Sequence, residues 1–339
     1  MKATISDVAR LAGVSTATVS YVVNGKKKIS EQTQHKVRQA IQALNYAPDS
    51  TARSFRTGKK HVIAMIVPFL GNDVFITLAE AAEQFFSEYG YHLLISSSGN
   101  SADKELNNLK VLCSGSVDGI MISSCCDHTD QLRKIIPQDF PVVFFDRILP
   151  GCTYDAVEIS DELSAYEAVS YLLKKGHKKI GLIEGFRHLS NVQHRVTGYR
   201  SAFQEHHMTD LDSYLFFPAD YIENPGEPAR RFLEEGCTAM LFATPTLLWK
   251  TKSSLEKQGV SLQSVETVVV TDSLRSRFFL KGSSLLQWPL REEGRLAARR
   301  LIQQIEEGPH EPEHMILQST FIPSEQASYE LENNWYLNG

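Results

Sequence analysis

The chain has 339 residues, which is more than one hydrophobic core usually serves, so two or three packed units are expected. It has no apolar run of about eighteen residues, and its start, MKATISDVAR, lacks the apolar stretch of a signal peptide. We therefore expect a cytoplasmic protein with no membrane partner. Five cysteines, none in a C-x-x-C pair, predict buried thiols, and we expect neither a metal ion nor a cofactor.

The formal net charge of −5 hides a strong asymmetry. Residues 1–60 carry eleven Lys or Arg and three Asp or Glu, whereas the remaining residues carry 24 and 37. One end of the chain is therefore strongly cationic. Clustered cations are typical of a polyanion-binding unit, because phosphates release their counterions when Lys and Arg neutralise them.

Three helical patterns follow one another in this cationic end. Thr4 opens a capping box, and Gly13 suits the left-handed cap that ends the first helix. Ser15 is the expected N-cap of the second helix, which Asn24 ends, and Ser30 is the expected N-cap of a longer third helix. Three helices with a tight first turn predict a helix-turn-helix domain.

The second helix of such a domain lies in the major groove, so its outer side chains read base edges. Its inner, apolar face is predicted to consist of Val19, Val22 and Val23. The outer side chains, at spacings of one, four and five, are Thr16, Ala17, Ser20 and Tyr21. Contacts to phosphates, which position the domain without reading sequence, are predicted for Thr4, Ser15, Asn24 and Ser30.

The segment TISDVARLAGVSTATVSYVVNG, with the following ISEQTQHKVRQAIQALNYAPDSTARSFRTGK, closely resembles the DNA-binding end of the lactose-repressor (LacI/GalR) family. The resemblance implies a helix-turn-helix domain over 1–48 and a hinge helix with its linker over 49–60. In the family, the hinge helix pairs with its dimer mate and wedges an apolar side chain into the minor groove. The matching residues are Phe55 and, beside it, Arg56. Family members usually carry Arg at the position of Tyr21, which implies a different preferred operator.

From His61 onward, apolar runs alternate with helical stretches, which predicts parallel βαβ units. The family resemblance implies a periplasmic-binding-protein-like α/β domain of two Rossmann-like subdomains joined by three crossovers. This effector-binding and dimerisation domain is expected over 61–339. Its N-terminal subdomain is expected over about 61–160 and 290–320, and its C-terminal subdomain over about 161–289 and 321–339.

Ligands of open parallel sheets bind beyond the carboxyl ends of the strands. Two departures from the family pattern stand in this region, Thr244-Pro245-Thr246 in place of the usual Asn-Asp and Trp288 in place of a glutamine. The departures remove a carboxylate that in relatives often accepts sugar hydroxyls, which favours an anionic ligand or a protein partner over a sugar bound in the usual way. The predicted effector is a small carbohydrate-like or anionic metabolite, such as a sugar, a sugar phosphate or another metabolite. The effector-binding residues implied by strand position and resemblance are Asn72, Phe75, Asp146, Arg147, Asn191, Arg195, Tyr221, Asp272 and Trp288.

No catalytic motif is present, so we do not expect an enzyme. The segment His310-Glu311-Pro312-Glu313-His314 resembles H-E-x-x-H, but Pro312 opposes the helix that this metal motif requires. The sequence predicts a homodimeric repressor that binds double-stranded operator DNA and is controlled by a small-molecule effector. Two alternatives stay open, namely control by a protein partner such as a phosphorylated carrier, and a ligand-binding protein that does not act on DNA.

Overall fold

A computed structural model describes residues 3–24, 29–46, 58–209, 212–218, 223–271 and 280–327. The chain divides into two compact units, Met1–Lys60 and His61–Gly339. Each unit has its own apolar core among the described residues. They are described separately below.

The smaller unit consists of three helices, α1 (Ile5–Ala12), α2 (Thr16–Asn24) and α3 (Glu31–Ala43). The predicted capping box is confirmed, because the Asp7 N–H donates to Thr4 Oγ1 and the Thr4 N–H donates to Asp7 Oδ2. Gly13 adopts the predicted left-handed conformation, with φ of 66°, and ends α1.

The core of this unit is made by one side of each helix. Val8, Val19 and Val37 are completely buried and pack together. The inner face of α2 is narrower than the sequence predicts, since Val22 is half-buried and Val23 is 37% exposed. The prediction for Val23 is therefore wrong.

The first sheet of the larger unit has six strands, and every pairing between them is parallel. The four inner strands are almost entirely buried, as strands of parallel sheets usually are, whereas the two edge strands have only exposed and half-buried residues. They are β1 (Val62–Val67), β2 (His92–Ser97), β3 (Gly119–Ile122), β4 (Val142–Phe145), β5 (Asp155–Ile159) and β11 (His314–Leu317). Their spatial order is β11-β5-β4-β3-β1-β2.

The second sheet repeats this arrangement with one exception, an antiparallel strand at its edge. Its strands are β6 (Ile180–Ile183), β7 (Leu215–Phe216), β8 (Ala239–Phe242), β9 (Glu266–Thr271), β10 (Ser284–Gln287) and β12 (Thr320–Ile322). The spatial order is β12-β10-β9-β8-β6-β7, with β12 antiparallel to β10.

Helices cover the faces of both sheets. The first sheet carries α4 (Asp73–Glu88), α5 (Ala102–Cys113) and α6 (Thr129–Arg133), and the second carries α7 (Asp161–Lys174), α8 (Ser190–Glu205), α9 (Gly226–Glu234) and α10 (Pro245–Lys257). The last helix, α11 (Leu290–Glu307), returns to the first sheet and packs against α4.

Among the described residues, the chain passes between the sheets three times. The passages follow Ile159, separate Gln287 from Leu290, and separate Leu317 from Thr320. The first subdomain is therefore the first sheet with α4–α6 and α11, and the second subdomain is the second sheet with α7–α10. The predicted fold class, a small all-α helix-turn-helix domain followed by an α/β domain of two subdomains, is confirmed.

The close packing of α7 against α8 in the second subdomain depends on Gly198. A Cβ atom at this position would lie 1.9 Å from the backbone oxygen of Glu162, so α7 and α8 could not pack at their present distance. We expect Gly198→Ala to lower the free energy of unfolding by about 1–3 kcal/mol, measured by urea denaturation. Gly71→Ala is the matched control, since a Cβ there meets no atom within 4 Å. Equal stability of the two variants would contradict this account.

Candidate functional site

The exposed side of α2 carries the side chains that the sequence predicts to read bases. Thr16, Ala17 and Tyr21 are exposed and Ser20 is half-buried, on the side of the helix opposite Val19. Ser15 caps the helix, since the Thr18 N–H donates to Ser15 Oγ at 3.1 Å. These four side chains form a stripe along α2 that carries methyl groups, hydroxyls and a phenol. Such groups suit contacts with thymine methyls and with the hydrogen-bonding groups of base edges.

The predicted phosphate contacts lie at the ends of the three helices. Thr4, Ser15 and Ser30 are exposed N-cap residues, and the Ser30 Oγ accepts the Thr33 N–H at 3.4 Å. Helix N-termini attract anions, because their backbone N–H groups and dipole both face outward. Asn24 ends α2, but its side chain lies outside the described residues, as do Phe55 and Arg56. The DNA-binding roles of all these residues stay predictions.

Polar side chains of both subdomains meet at the carboxyl ends of the strands, in the region that we call the cleft. Asp146 follows β4, and its Oδ2 accepts a hydrogen bond from Ser123 Oγ at 2.8 Å. Its Oδ1 accepts a hydrogen bond from Asn191 Nδ2 at 3.4 Å, and Asn191 belongs to the first turn of α8. The Asp146–Asn191 pair therefore joins the first subdomain to the second. Arg147 donates from Nη1 to Asn100 Oδ1 at 2.6 Å.

The second wall of the cleft contains a buried ionic cluster around Arg195. Its guanidinium donates to both Glu184 carboxylate oxygens, at 2.8 and 3.0 Å, and to Asp161 Oδ1 at 2.6 Å. Burial disfavours the charge on Arg195, but the two carboxylates outweigh this effect and raise its pKa. The guanidinium also lies 5.8 Å from the centre of the Trp288 ring.

The structure thus brings together five of the predicted effector residues. Trp288 is 5% exposed, and its buried Nε1 has no hydrogen-bond partner among the described residues. A buried donor without a partner is costly, which suggests a site for a ligand acceptor group. The five residues are Asp146, Arg147, Asn191, Arg195 and Trp288.

Two other predicted effector residues, Asn72 and Phe75, are not in this cluster. Asn72 is the N-cap of α4, where its Oδ1 accepts the Val74 N–H at 3.1 Å. Phe75 is 4% exposed and packs edge-on against Phe145 in the apolar core. Tyr221 and Asp272 lie outside the described residues.

Three buried carboxylates at the cleft were missed by the sequence reasoning. Glu184 stands at the end of the apolar run of β6, which is a usable signal. Asp161 and Glu293 lie in helical segments where an acidic residue is expected to face solvent, and only tertiary packing buries them. Burial raises the pKa of Asp161 to about 7. Burial and the nearby Asp146 charge raise the pKa of Glu293 well above its usual range.

A helix-turn-helix unit followed by a two-subdomain α/β unit with a polar cleft defines the class of regulators that carry DNA-binding and ligand-binding parts on one chain. A family model described as bacterial regulatory proteins, lacI family, matches residues 4–49. A second, described as periplasmic binding proteins and sugar binding domain of LacI family, matches residues 60–325. The chain belongs to the LacI family of bacterial regulatory proteins, as the resemblance of its first sixty residues indicates.

Curated relatives cover nearly the whole chain. The HTH-type transcriptional repressor PurR of Vibrio atlanticus (strain LGP32) is 30% identical over 315 residues, which are 91% of this chain and 94% of that protein. PurR of Vibrio cholerae serotype O1 (strain M66-2) is 29% identical over 314 residues, 91% of this chain and 93% of that protein. Both relatives are transcriptional repressors by name.

Solved structures share the fold. The lac repressor dimer bound to operator and the anti-inducer ONPF has a TM-score of 0.82 at 20% identity, covering 96% of this chain and 99% of that chain. A complex of the transcriptional regulator CelR with cellobiose has a TM-score of 0.69 at 21% identity, covering 96% and 100%. None of the helices in the described ranges is long and apolar enough to cross a membrane.

The contribution of the Arg195 ionic cluster to stability can be measured by removing its cation. Arg195→Met leaves Glu184 and Asp161 buried without their cation, so we expect the free energy of unfolding to fall by about 3–5 kcal/mol. Arg200→Met is the control, because Arg200 pairs with Asp212 at the surface, where an ion pair contributes at most about 1 kcal/mol. Urea denaturation of both variants checks this, and a loss below about 1 kcal/mol for Arg195→Met would refute it.

Proposed function

We propose that this chain is a homodimeric transcriptional repressor whose α2 reads operator DNA through Tyr21 and its neighbours, and whose cleft binds a small polar effector. The observation that carries the DNA-binding role is the exposed stripe of Thr16, Ala17 and Tyr21 on a capped second helix in a strongly cationic unit. The PurR relatives, which are repressors, support the direction of regulation.

The operator expected for such a protein is pseudo-palindromic. A two-fold dimer presents two recognition helices to major grooves about one helical turn apart. The domain limits that we propose are 1–48 for the helix-turn-helix, 49–60 for the hinge and linker, and 61–339 for the effector domain. The division of contacts between Lys60 and His61 supports the last of these limits.

The cleft geometry supports a polar effector that touches both subdomains. Asp146 and Asn191 already meet across it, and the Trp288 Nε1 donor lacks a partner among the described residues. We therefore propose a ligand with an acceptor for Trp288 and a donor for Asp146, which a sugar or a related metabolite provides. The related lac repressor and CelR structures hold ONPF and cellobiose, respectively.

The homodimer interface proposed here includes the edge of the first sheet. β2 is the outermost strand, and Leu94 and Ile95 on it are 44% and 43% exposed. Ile95 also lines an apolar cavity of 280 Å³ together with Leu70 and Ile76, which are 56% and 37% exposed. Contiguous exposed apolar surface of this kind marks an interaction site on a soluble protein.

The DNA-binding role is tested by selecting bound duplexes from a random pool with the full chain and with Tyr21→Ala. We expect the wild-type protein to enrich a two-fold sequence and the variant to lose discrimination at one position of each half-site, by about 5–150-fold in gel-shift affinity. Gln39→Ala, an exposed change on α3, serves as the control and should select the wild-type sequence. If all three proteins select the same motif, Tyr21 does not read bases. If the wild-type protein enriches no sequence, the proposed function is wrong.

The interface is tested by Ile95→Glu and sedimentation of the full chain. A glutamate there places a charge between apolar surfaces, so we expect the dimer dissociation constant to rise by about a hundredfold or more. Val111→Glu, at a residue of α5 that is 64% exposed, is the matched control and should remain dimeric. An unchanged dimer for Ile95→Glu would place the interface elsewhere.

A further inference from the structure

Two buried carboxylates lie where the chain passes between the subdomains. Asp161 is the first residue of α7, directly after the first passage, and Glu293 lies in the first turn of α11, directly after the second. Asp161 is 5% exposed and Glu293 is 1% exposed. Acidic side chains are seldom buried to this degree unless they are paired, so their surroundings require an explanation.

Glu293 is surrounded by negative charge. Its Oε1 accepts the backbone N–H of Asp146 at 2.8 Å, and the carboxylates of Asp146, Asp161 and Glu158 all disfavour its ionised form. Glu158 itself is bound by His314 Nε2 at 2.9 Å on the neighbouring strand. Ionisation of Glu293, in α11, therefore adds repulsion with groups of β5, of α7 and of the residue that follows β4.

Asp161 shares its cation, Arg195, with another buried acid, Glu184. Arg195 bonds Asp161 through Nη1 and Glu184 through Nε and Nη2, so one positive charge serves two carboxylates. Arg147, the other guanidinium of the cleft, lies 3.7 Å from Asp146. When all these acids are ionised, Asp146, Asp161, Glu184 and Glu293 outnumber the two guanidiniums by two.

The same cluster contains the contact that holds the two walls together. Glu293 positions the backbone of Asp146, and the Asp146 carboxylate bonds Asn191 on the opposite wall. Asp146 and Glu293 belong to the first subdomain and Asp161 to the second, so the repulsion between Asp161 and the other two is relieved when the walls separate and water enters. Opening of a two-subdomain cleft about its crossovers is a common form of domain motion.

We propose that the Glu293–Asp161–Asp146 carboxylate cluster is a proton-sensitive latch, closed when Glu293 and Asp161 hold protons and opened when they ionise, so that pH regulates the cleft together with the effector. The proposal rests on the proposed function for its effect on DNA, but not for its effect on the cleft. Both acids bind protons more tightly in the closed form than in water, so the closed form loses stability as pH rises from about 4 to about 7 and beyond.

Trp288 reports opening directly, because its ring lies beside Arg195 in the cluster. In the full chain with Trp249→Phe and Trp335→Phe, Trp288 is the only tryptophan. We would measure acrylamide quenching of its fluorescence and the dissociation constant for the selected operator from pH 6 to 8.5 at constant ionic strength. We expect quenching to rise by about twofold or more with pH, and operator affinity to change by about fivefold or more over the same range.

Three variants decide the origin of these changes. Glu293→Gln keeps an acceptor for the Asp146 N–H without a charge, and Asp161→Asn keeps an acceptor for Arg195, so each should flatten both pH profiles. Glu292→Gln, on the exposed side of the same helix, is the matched control and should retain them. Two acid variants at separate positions keep the test valid if one of them folds poorly.

Each result has a definite meaning. Flat quenching of Trp288 in the wild type, or an unchanged slope in Glu293→Gln and Asp161→Asn, overturns the latch. Quenching that titrates while specific operator affinity stays constant overturns its regulatory role. Quenching that titrates in a protein that selects no operator at any pH leaves the latch standing and refutes the proposed function instead.

Discussion

The cleft of this protein depends on one buried guanidinium. Arg195 holds Glu184 and Asp161 in a region where all three side chains are at most 5% exposed. Ions buried to this degree cost several kcal/mol each unless they are paired with good geometry, and the two-oxygen contact with Glu184 provides that geometry. Because Asp161 begins α7, Glu184 follows β6 and Arg195 lies in α8, this single charge fixes three elements at one edge of the second sheet. The ion pairs of Arg195 thus fix the second wall of the cleft.

The first wall is held differently, by a strained residue. Asp146 has a φ of 61°, an uncommon conformation for a side chain other than glycine, which costs on the order of 1–3 kcal/mol. Hydrogen bonds with Ser123, Asn191 and Glu293 compensate for this cost. The residue with this left-handed backbone is also the one whose carboxylate bonds Asn191 of the other subdomain. Such a residue responds to small changes in its partners, whether these come from a ligand or from a proton.

The local features of this fold could be predicted from the sequence, and the tertiary ones could not. The capping box at Thr4, the left-handed Gly13 and the alternating strands follow from neighbouring residues, and all are present. Val23 was predicted to be internal from helical spacing alone, but a three-helix unit covers only part of α2. Glu293 resembled a solvent-exposed helical acid, because its burial results from residues more than a hundred positions earlier in the chain, such as Asp146. Spacing could likewise not show that Phe75 faces Phe145 in the core.

The last strands of the described chain have a consequence for synthesis. β11 covers one edge of the first sheet and β12 covers one edge of the second, with only Gln318 and Ser319 between them. Until β11 and β12 have been synthesised, β5 and β10 both present unpaired backbone groups at a sheet edge. Exposed edge strands pair readily with other strands. A nascent chain interrupted before His314 therefore leaves both β5 and β10 open to such pairing. Nine residues near the carboxyl end therefore add the last strand to both sheets.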